Sequence, residues 1–263
     1  MQKRKLLVLL LVPFTLMGCK KKDSKQRESD DPLPVDPGVT VDQVEESEYK
    51  TIPSYIAAKL GSYTSYKSVT EGKTVSAGFI EVKINTLNIK SEYSYTKNES
   101  KGIVSSVHEA YYHNQKAAYR DKSSGDFSVS FLDDYLNVYG TYPFENSLEG
   151  YSVKEDSIRS VTKEINENNQ YTFRIEFNPE TSTNNVKIQM KKIGDLSDYP
   201  TFESIEMRVV IDNDFTLHRL DLHSKYEAQK GFKTKCEQTY TVNFTNYNEQ
   251  IDVSNLDSIK NLI

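Results

Sequence analysis

Residues 201–245 read TFESIEMRVVIDNDFTLHRLDLHSKYEAQKGFKTKCEQTYTVNFT and alternate apolar with polar side chains in three successive segments. In the first segment Ile205, Met207 and Val209 alternate with charged residues, and in the last Val242 and Phe244 share one parity with Cys236 and Tyr240. A period of two predicts strands with one dry and one wet face. The turn sequences Asp212-Asn213-Asp214 and Gln229-Lys230-Gly231 connect them as antiparallel neighbours.

Further elements follow on the amino-terminal side of this stretch. Period-two segments predict more strands, and apolar residues three or four apart predict helices. Val186–Ile193 is compatible with a helix or a strand, and the helix is favoured because Gly194 follows it. The predicted strands cover residues 79–85, 93–95, 104–113, 117–121 and 171–177, and the other predicted helices cover Ile52–Tyr63 and Ser128–Tyr139.

These elements predict an α+β fold. Strand after strand has one apolar face, but the helices are too few for a doubly wound sheet. We expect one domain, residues 51–263, with a strongly curved antiparallel sheet, a half-barrel, and two or three covering helices. A sheet of this kind has its concave side filled by the helices or by a ligand.

The amino terminus carries an export signal. Three cations in residues 3–5 precede an apolar run from Leu6 to Met17, which is too short to span a bilayer. The following Gly18-Cys19 resembles the lipobox of bacterial lipoproteins. That resemblance implies that residues 1–18 are removed, that Cys19 is diacylated, and that the protein lies on the extracytoplasmic face of the cell membrane, held by its diacylglyceryl anchor. The alternative is an uncleaved anchor in which Cys19 is incidental.

Residues 19–50 are predicted to be the lipidated cysteine and a disordered tether. They are rich in charged residues and contain Pro32, Pro34 and Pro37. Such a segment has too little apolar surface to offset the entropy lost on ordering.

The composition excludes several classes of function. A net charge of −5 argues against a nucleic-acid partner. No nucleotide, hydrolase or zinc-protease motif is present, and His108/His113 and His218/His223 are each five residues apart, which places the members of a pair on opposite faces of a strand. We therefore expect no enzyme, no cofactor and no metal site. Cys236 has the apolar parity of its strand and is expected to be a buried, inert thiol.

The order of these elements resembles the LolA-like and LppX-like lipoproteins. The resemblance lies in the lipobox, the acidic tether, the helix before the first strands and the closing hairpin from Ile205 to Phe244, and it is nearest to uncharacterised lipoproteins of low-GC Gram-positive bacteria. It implies an incomplete β-barrel with a hydrophobic cavity under a helical lid, in proteins that carry lipids or acylated proteins.

Together these observations predict non-covalent binding of a lipid or another hydrophobic ligand. Aromatic residues are expected to line its cavity: Tyr93, Tyr95, Tyr112, Phe131, Tyr135, Phe173 and Phe177. The alternative for the many tyrosines is ordinary sheet packing in a chain of biased composition. The alternative function is a non-catalytic surface module with a filled core that binds another protein, and the sequence identifies neither that protein nor the ligand.

Overall fold

Eleven antiparallel strands form one sheet in the part of the chain that the computed structural model describes, residues 38–102, 105–121, 126–141, 150–167, 170–251 and 257–263. The signal sequence and Cys19 lie outside these residues. The strands are β1 (Tyr66–Ser76), β2 (Ile80–Lys90), β3 (Ser94–Lys101), β4 (Ser106–His113), β5 (Lys116–Arg120), β6 (Ser128–Phe131), β7 (Ile158–Glu167), β8 (Gln170–Phe177), β9 (Thr201–Asp212), β10 (Leu217–Lys230) and β11 (Phe232–Thr245).

The strand order is β6-β5-β4-β3-β2-β1-β11-β10-β9-β8-β7. Two meanders, β1–β6 and β7–β11, therefore meet where β1 pairs with β11, with Ser68 opposite Phe244 and Thr74 opposite Gln238. Within the described residues β6 and β7 are the two edges and do not pair with each other, so the sheet remains open. The predicted fold class, an α+β half-barrel, is confirmed.

Helices cover one face of this sheet, which we call the covered face. They are α1 (Ile52–Ser62), α2 (Leu132–Tyr139), α3 (Pro179–Ser182) and α4 (Asn184–Gly194), with 3₁₀ turns at Val41–Gln43, Glu46–Thr51 and Glu155–Ser157. The short helix α5 (Asp257–Lys260) packs instead against the opposite, outer face. The helices α1, α2 and α4 pack over the covered face and match the two or three that were predicted. None of the helices in the described ranges is long and apolar enough to cross a bilayer.

The helix α1 follows directly from its sequence. Pro53 lies in its first turn, where the missing N–H costs no hydrogen bond. Ile52, Ile56 and Leu60 lie on one side and are almost fully buried in the main core. The favoured helix at 186–193 is also confirmed, because α4 spans that segment.

Glycine and asparagine turns set the lengths of the hairpins. Asn114 and Gln115 both have positive φ angles, 48° and 65°, which form the two-residue turn that suits a twisted hairpin. Gly231 has φ 85° at the tip of the hairpin β10–β11. Gly140 adopts φ 71° after α2, and its N–H donates to the Leu136 carbonyl at 2.8 Å, as expected for a helix end.

The prediction of a single helix over Ser128–Tyr139 is wrong in its first third. Residues 128–131 form β6, which pairs with β5 and places Phe131 opposite Lys116. The helix begins only at Leu132. The ladder to β5 supplies backbone partners that a free helical turn at this position lacks, and this tertiary pairing outweighs a short apolar stripe.

The predicted tether is too long at its carboxyl end. Val41 is 2% exposed and Val44 is 8% exposed, and both belong to the main core. The Val41 N–H also donates to the Asn213 carbonyl at 2.9 Å. The folded body therefore begins before residue 41, and only residues 20–37, which lie outside the described ranges, remain available as the predicted tether. Two valines three residues apart among many acids were too weak a pattern to reveal this.

Gly72 allows the two meanders to join. A β-carbon on Gly72 would lie 2.3 Å from the Tyr240 β-carbon and 2.4 Å from the Thr239 carbonyl oxygen, both on β11. Gly72 and Tyr240 are directly opposite each other in the ladder. No ordinary side chain fits at such a distance, so close approach of the strands at this point requires glycine.

We therefore predict that Gly72→Ala destabilises the protein by about 1–3 kcal/mol, the usual range for forced overpacking. Urea unfolding followed by circular dichroism measures the loss. Gly61→Ala is the matched control, because a β-carbon on Gly61 meets nothing within 4 Å and Gly61 lies inside α1. The control is expected to stabilise by roughly 0.5–1 kcal/mol. Equal effects of the two substitutions would contradict this account of the junction.

Candidate binding site

The covered face is filled and apolar over β7–β11. Phe173, Ile175, Met207 and Val209 are fully buried there and pack in one cluster with the helix α1. Two of the predicted cavity residues lie in this cluster. The ring of Tyr49 contacts that of Phe173 edge to face, with centroids 5.3 Å apart, and the ring centroids of Tyr151 and Phe177 are 5.8 Å apart. The chain's own aromatic rings thus occupy the space beside them.

The same face carries short polar side chains over β1, β3 and the end of β2, whereas Val82 and Ile84 on β2 form a small apolar cluster on this face. The register places the members of this polar half on one side of the sheet, and all of them are buried. They share a short side chain with a hydroxyl or an amide, and neighbouring strands bring them together in rows. The polar half consists of Ser68, Thr70, Thr74 and Ser76 on β1, Thr86 and Asn88 on β2, Asn98 and Ser100 on β3, Ser224 on β10 and Gln238 on β11.

Several polar atoms of this half are not satisfied. Within the described part of the chain, the hydroxyls of Ser68 and Thr86, both polar atoms of Asn98 and the amide nitrogen of Gln238 have no hydrogen-bond partner. A buried polar group without a partner costs about 1–3 kcal/mol. Groups of this kind take their hydrogen bonds from an internal water molecule or from a bound ligand.

A hydrogen-bonded histidine lies beside the polar half, under α2. His108 is 5% exposed; its Nδ1 lies 2.8 Å from Asp121 Oδ1 and its Nε2 lies 2.7 Å from the Tyr135 hydroxyl. The Tyr139 hydroxyl donates to Asp121 Oδ2 at 3.2 Å. Tyr119 packs edge to face against both tyrosines of the helix.

This network positions α2 over the sheet. Tyr135 is 1% exposed, so its side chain is enclosed between α2 and the sheet. Burial, with the nearby Asp121 carboxylate, raises the pKa of Tyr139 well above its ordinary value, so that its hydroxyl stays protonated and acts as a donor. The histidine and aspartate therefore fix the helix through its two tyrosines.

The outer face carries a separate aromatic cluster. Tyr95 and Tyr111 pack there with Ile259, and the Tyr95 hydroxyl donates to Glu109 Oε1 at 2.6 Å. Burial and the Glu109 carboxylate raise the pKa of Tyr95. Lys260 lies 4.9 Å from the centroid of the Tyr93 ring. The carboxyl-terminal segment thus covers this cluster.

The seven predicted cavity residues do not line one site. Tyr93 and Tyr95 lie on the outer face, whereas Tyr112 is half-buried on the covered face of β4. Phe131 is 66% exposed at the end of the edge strand β6. The remaining three, Tyr135, Phe173 and Phe177, are buried on the covered face in two different clusters.

Sequence reasoning missed the polar half and the pairing of His108 with Asp121. The pairing of the histidine can be predicted from the hairpin register. A two-residue turn at Asn114-Gln115 places Glu109 opposite Arg120, and one residue further along both strands His108 lies opposite Asp121. No sequence pattern predicts the polar half, because β1 has polar side chains on both faces and no alternation distinguishes the buried face from the exposed one. The expectation that His108 and His113 lie on opposite faces agrees with their separate partners, Tyr135 and Tyr93.

A polar groove of about 580 Å³ crosses the outer face of the central strands. Its walls carry charges of both signs and two threonines. They consist of Glu71, Gly72, Lys73, Lys83, Glu206, Arg208, Asp221, Leu222, His223, Thr239, Tyr240 and Thr241. In the described ranges, no group of three or more His, Cys, Asp or Glu residues is arranged to hold a metal ion.

Comparison with known proteins finds similarity among solved structures only. No family model matches the chain, and no curated protein matches it. The lipoprotein LppX of Mycobacterium tuberculosis is 10% identical over 80% of this chain and all of its own, with a TM-score of 0.39. A LolA superfamily protein of Nitrosomonas europaea is 8% identical over 79% of this chain and 96% of its own, with a TM-score of 0.30. An S-type phycobiliprotein lyase of Guillardia theta is 8% identical over 75% of this chain and 96% of its own, with a TM-score of 0.26. The half-barrel architecture therefore stands on the strand order and register given above, and the ligands of these proteins are not transferred.

We predict that Thr86→Val leaves the free energy of unfolding unchanged or raises it by up to about 1 kcal/mol, since it removes a buried hydroxyl that has no partner. Thr241→Val is the matched control on the outer face, where the hydroxyl donates to Asp221 at 2.6 Å. The control is expected to lose about 0.5–1.5 kcal/mol. Both are measured by urea unfolding, and an equal loss for Thr86→Val would show that its hydroxyl is satisfied.

Proposed function

We propose that this chain is an extracytoplasmic lipoprotein that binds an amphipathic lipid non-covalently against the polar half of the covered face. Its anchor is a diacylated Cys19, and residues 20–37 tether the folded body to the membrane. The support for the anchor is the cationic start, the short apolar run and the Gly18-Cys19 pair. Two acyl chains on one cysteine give stable attachment, which a single chain does not.

The observation that carries the proposal is the group of buried, unsatisfied polar atoms beside an apolar core. Asn98 and Gln238 offer amide donors and Ser68 offers a hydroxyl, and within the described residues these groups have no protein partner. The apolar residues of β8, β9 and β10 continue the same face. A molecule with hydroxyl, carbonyl or ester groups joined to hydrocarbon complements both halves of this surface.

Entry of such a ligand requires movement of the covering helices, because the atoms of the polar half are buried. The helices α2 and α4 pack against each other. Within the described residues the polar bonds from α2, the shorter of the two, to the sheet include those of Tyr135 to His108, of Tyr139 to Asp121 and of the Leu132 N–H to the Gln115 carbonyl. A short helix held in this way opens at lower cost than the main core.

Native mass spectrometry of residues 38–263, purified without detergent, tests the proposal. We expect a fraction of the protein to carry a co-purified lipid mass, which organic extraction releases. The double variant Asn98→Leu and Gln238→Leu should lose this adduct, because leucine cannot bind the polar part of the ligand. Thr241→Val on the outer face should keep it. A protein that is free of adducts after purification and after incubation with bacterial lipid extract would contradict lipid binding.

The second candidate is a non-catalytic module that binds another protein. It is favoured by the filled apolar half of the covered face and by the polar groove of the outer face. Lys83 lies in this groove directly opposite Lys73, so Lys83→Glu changes the charge of its wall. Loss of a protein partner in this variant, together with an adduct-free native spectrum, would favour this function.

The number of reactive thiols in the protein tests whether Cys19 is acylated. The chain has two cysteines, and Cys236 is buried in the main core, where burial raises the pKa of its thiol to about 11. We predict that the full chain shows no reactive thiol at pH 8 when folded and one thiol when unfolded in urea, because the other sulfur is acylated. Two thiols after unfolding would show that Cys19 is free.

The raised pKa also predicts a pH dependence. The unfolded thiol ionises near pH 8.5–9, whereas the folded one ionises near 11. The contribution of this group to stability is therefore constant below the unfolded pKa, and stability falls as pH rises from about 9 to about 11.

A further inference from the structure

We propose that the hairpin tips at one end of the sheet dock into the interface of a lipid bilayer. The tips are residues 77–79, between β1 and β2, and residues 230–232, which comprise the last residue of β10, Gly231 and the first residue of β11. The inference is independent of the anchor at Cys19, because it rests on the described residues of the tips.

Each tip exposes a phenylalanine. Phe79 is 80% exposed and Phe232 is 57% exposed, the first being the highest value among the exposed large apolar residues of the described chain. Both follow a glycine with a positive φ, Gly78 at 78° and Gly231 at 85°, which turns the chain sharply. Two tight turns that each end in an exposed aromatic ring are costly in water and favourable at a membrane interface.

The two tips lie at the same end of the sheet on neighbouring hairpins. The Ala77 N–H donates to the Lys235 carbonyl at 2.9 Å, and Ser76 pairs with Cys236. Phe232 lies three residues beyond Lys235 along β11, which is about 10 Å at the rise of a strand. One membrane surface can therefore receive both rings.

The charges near the tips favour an anionic surface. Residues 73–83 and 225–237 together contain six lysines against three glutamates, whereas residues 51–263 as a whole contain 24 Lys and Arg against 29 Asp and Glu. Three of the lysines, Lys230, Lys233 and Lys235, flank Phe232. They form ion pairs with Asp195, Glu227 and Glu203 at the protein surface, and such exposed pairs are weak enough in water to exchange for lipid phosphates. Lysine stems extend along apolar surface while their ammonium groups reach phosphates, so they suit this position.

The position of the tether is compatible with this orientation. Val41 binds Asn213 in the turn between β9 and β10, which is the opposite end of the sheet from the tips. The 14 residues of β10 span about 45 Å. Residues 20–37 reach about 60 Å when extended, so a chain anchored at Cys19 is long enough to let the tips face the bilayer.

Single tryptophans test the proposal, because the chain contains none. The full chain with Phe79→Trp or Phe232→Trp is reconstituted with vesicles of phosphatidylcholine and phosphatidylglycerol, with or without brominated acyl chains. We expect a blue-shifted emission and about twofold quenching by the brominated lipid for both variants. Gln250→Trp is the control, since Gln250 is exposed beyond β11 at the tether end of the sheet, and its emission should not change.

Three results would overturn the proposal. The first is emission of both tip variants that brominated lipid does not quench. The second is a blue shift without vesicles that grows with protein concentration, which would assign the tips to a second copy of this chain. The third is equal quenching in the Gln250→Trp control. If the tip variants are quenched as strongly in vesicles of phosphatidylcholine alone as in vesicles that also contain phosphatidylglycerol, the lysines do not contribute to docking.

Discussion

The pairing of β1 with β11 is the interaction on which the rest of the structure depends. It joins residues 67–76 to residues 236–245, so that two meanders with only local pairings become one sheet. The junction needs Gly72, because the strands approach so closely that a β-carbon would overlap Tyr240. Loop closure over this separation costs entropy, which the long ladder and the core behind it must offset.

This junction also divides the covered face. On the β11 side the face is lined by large apolar residues that α1 fills, and it has the character of an ordinary core. The short polar residues, several of which lack partners within the described chain, lie mainly on the β1 side beside Val82 and Ile84, and extend to Gln238 and Ser224 across the junction. The boundary between these two halves is the part of the molecule where a ligand with a polar and an apolar portion gains most, and it places the proposed site away from the residues that stabilise the fold.

Prediction from sequence succeeded where a pattern was local and failed where a distant element decided the outcome. The period of two in β8–β11, Pro53 at the start of α1 and Gly140 at the end of α2 each report a local preference of the backbone. The spacing of Phe131 predicts a helix, yet pairing with β5 makes it the end of a strand. Val41 and Val44 were assigned to a tether, yet the core and the Asn213 carbonyl hold them in the body.

The sequence by itself determined the alternation of β8–β11, the turns between them and the burial of Cys236, because these follow from side-chain parity and from residues that favour particular φ angles. Only the tertiary structure decided which faces the tyrosines occupy and which polar residues share a row. It also decided that Phe79 and Phe232 lie at the same end. These features depend on the register between strands far apart in the chain, and register is set by the packing of the whole sheet rather than by any one segment.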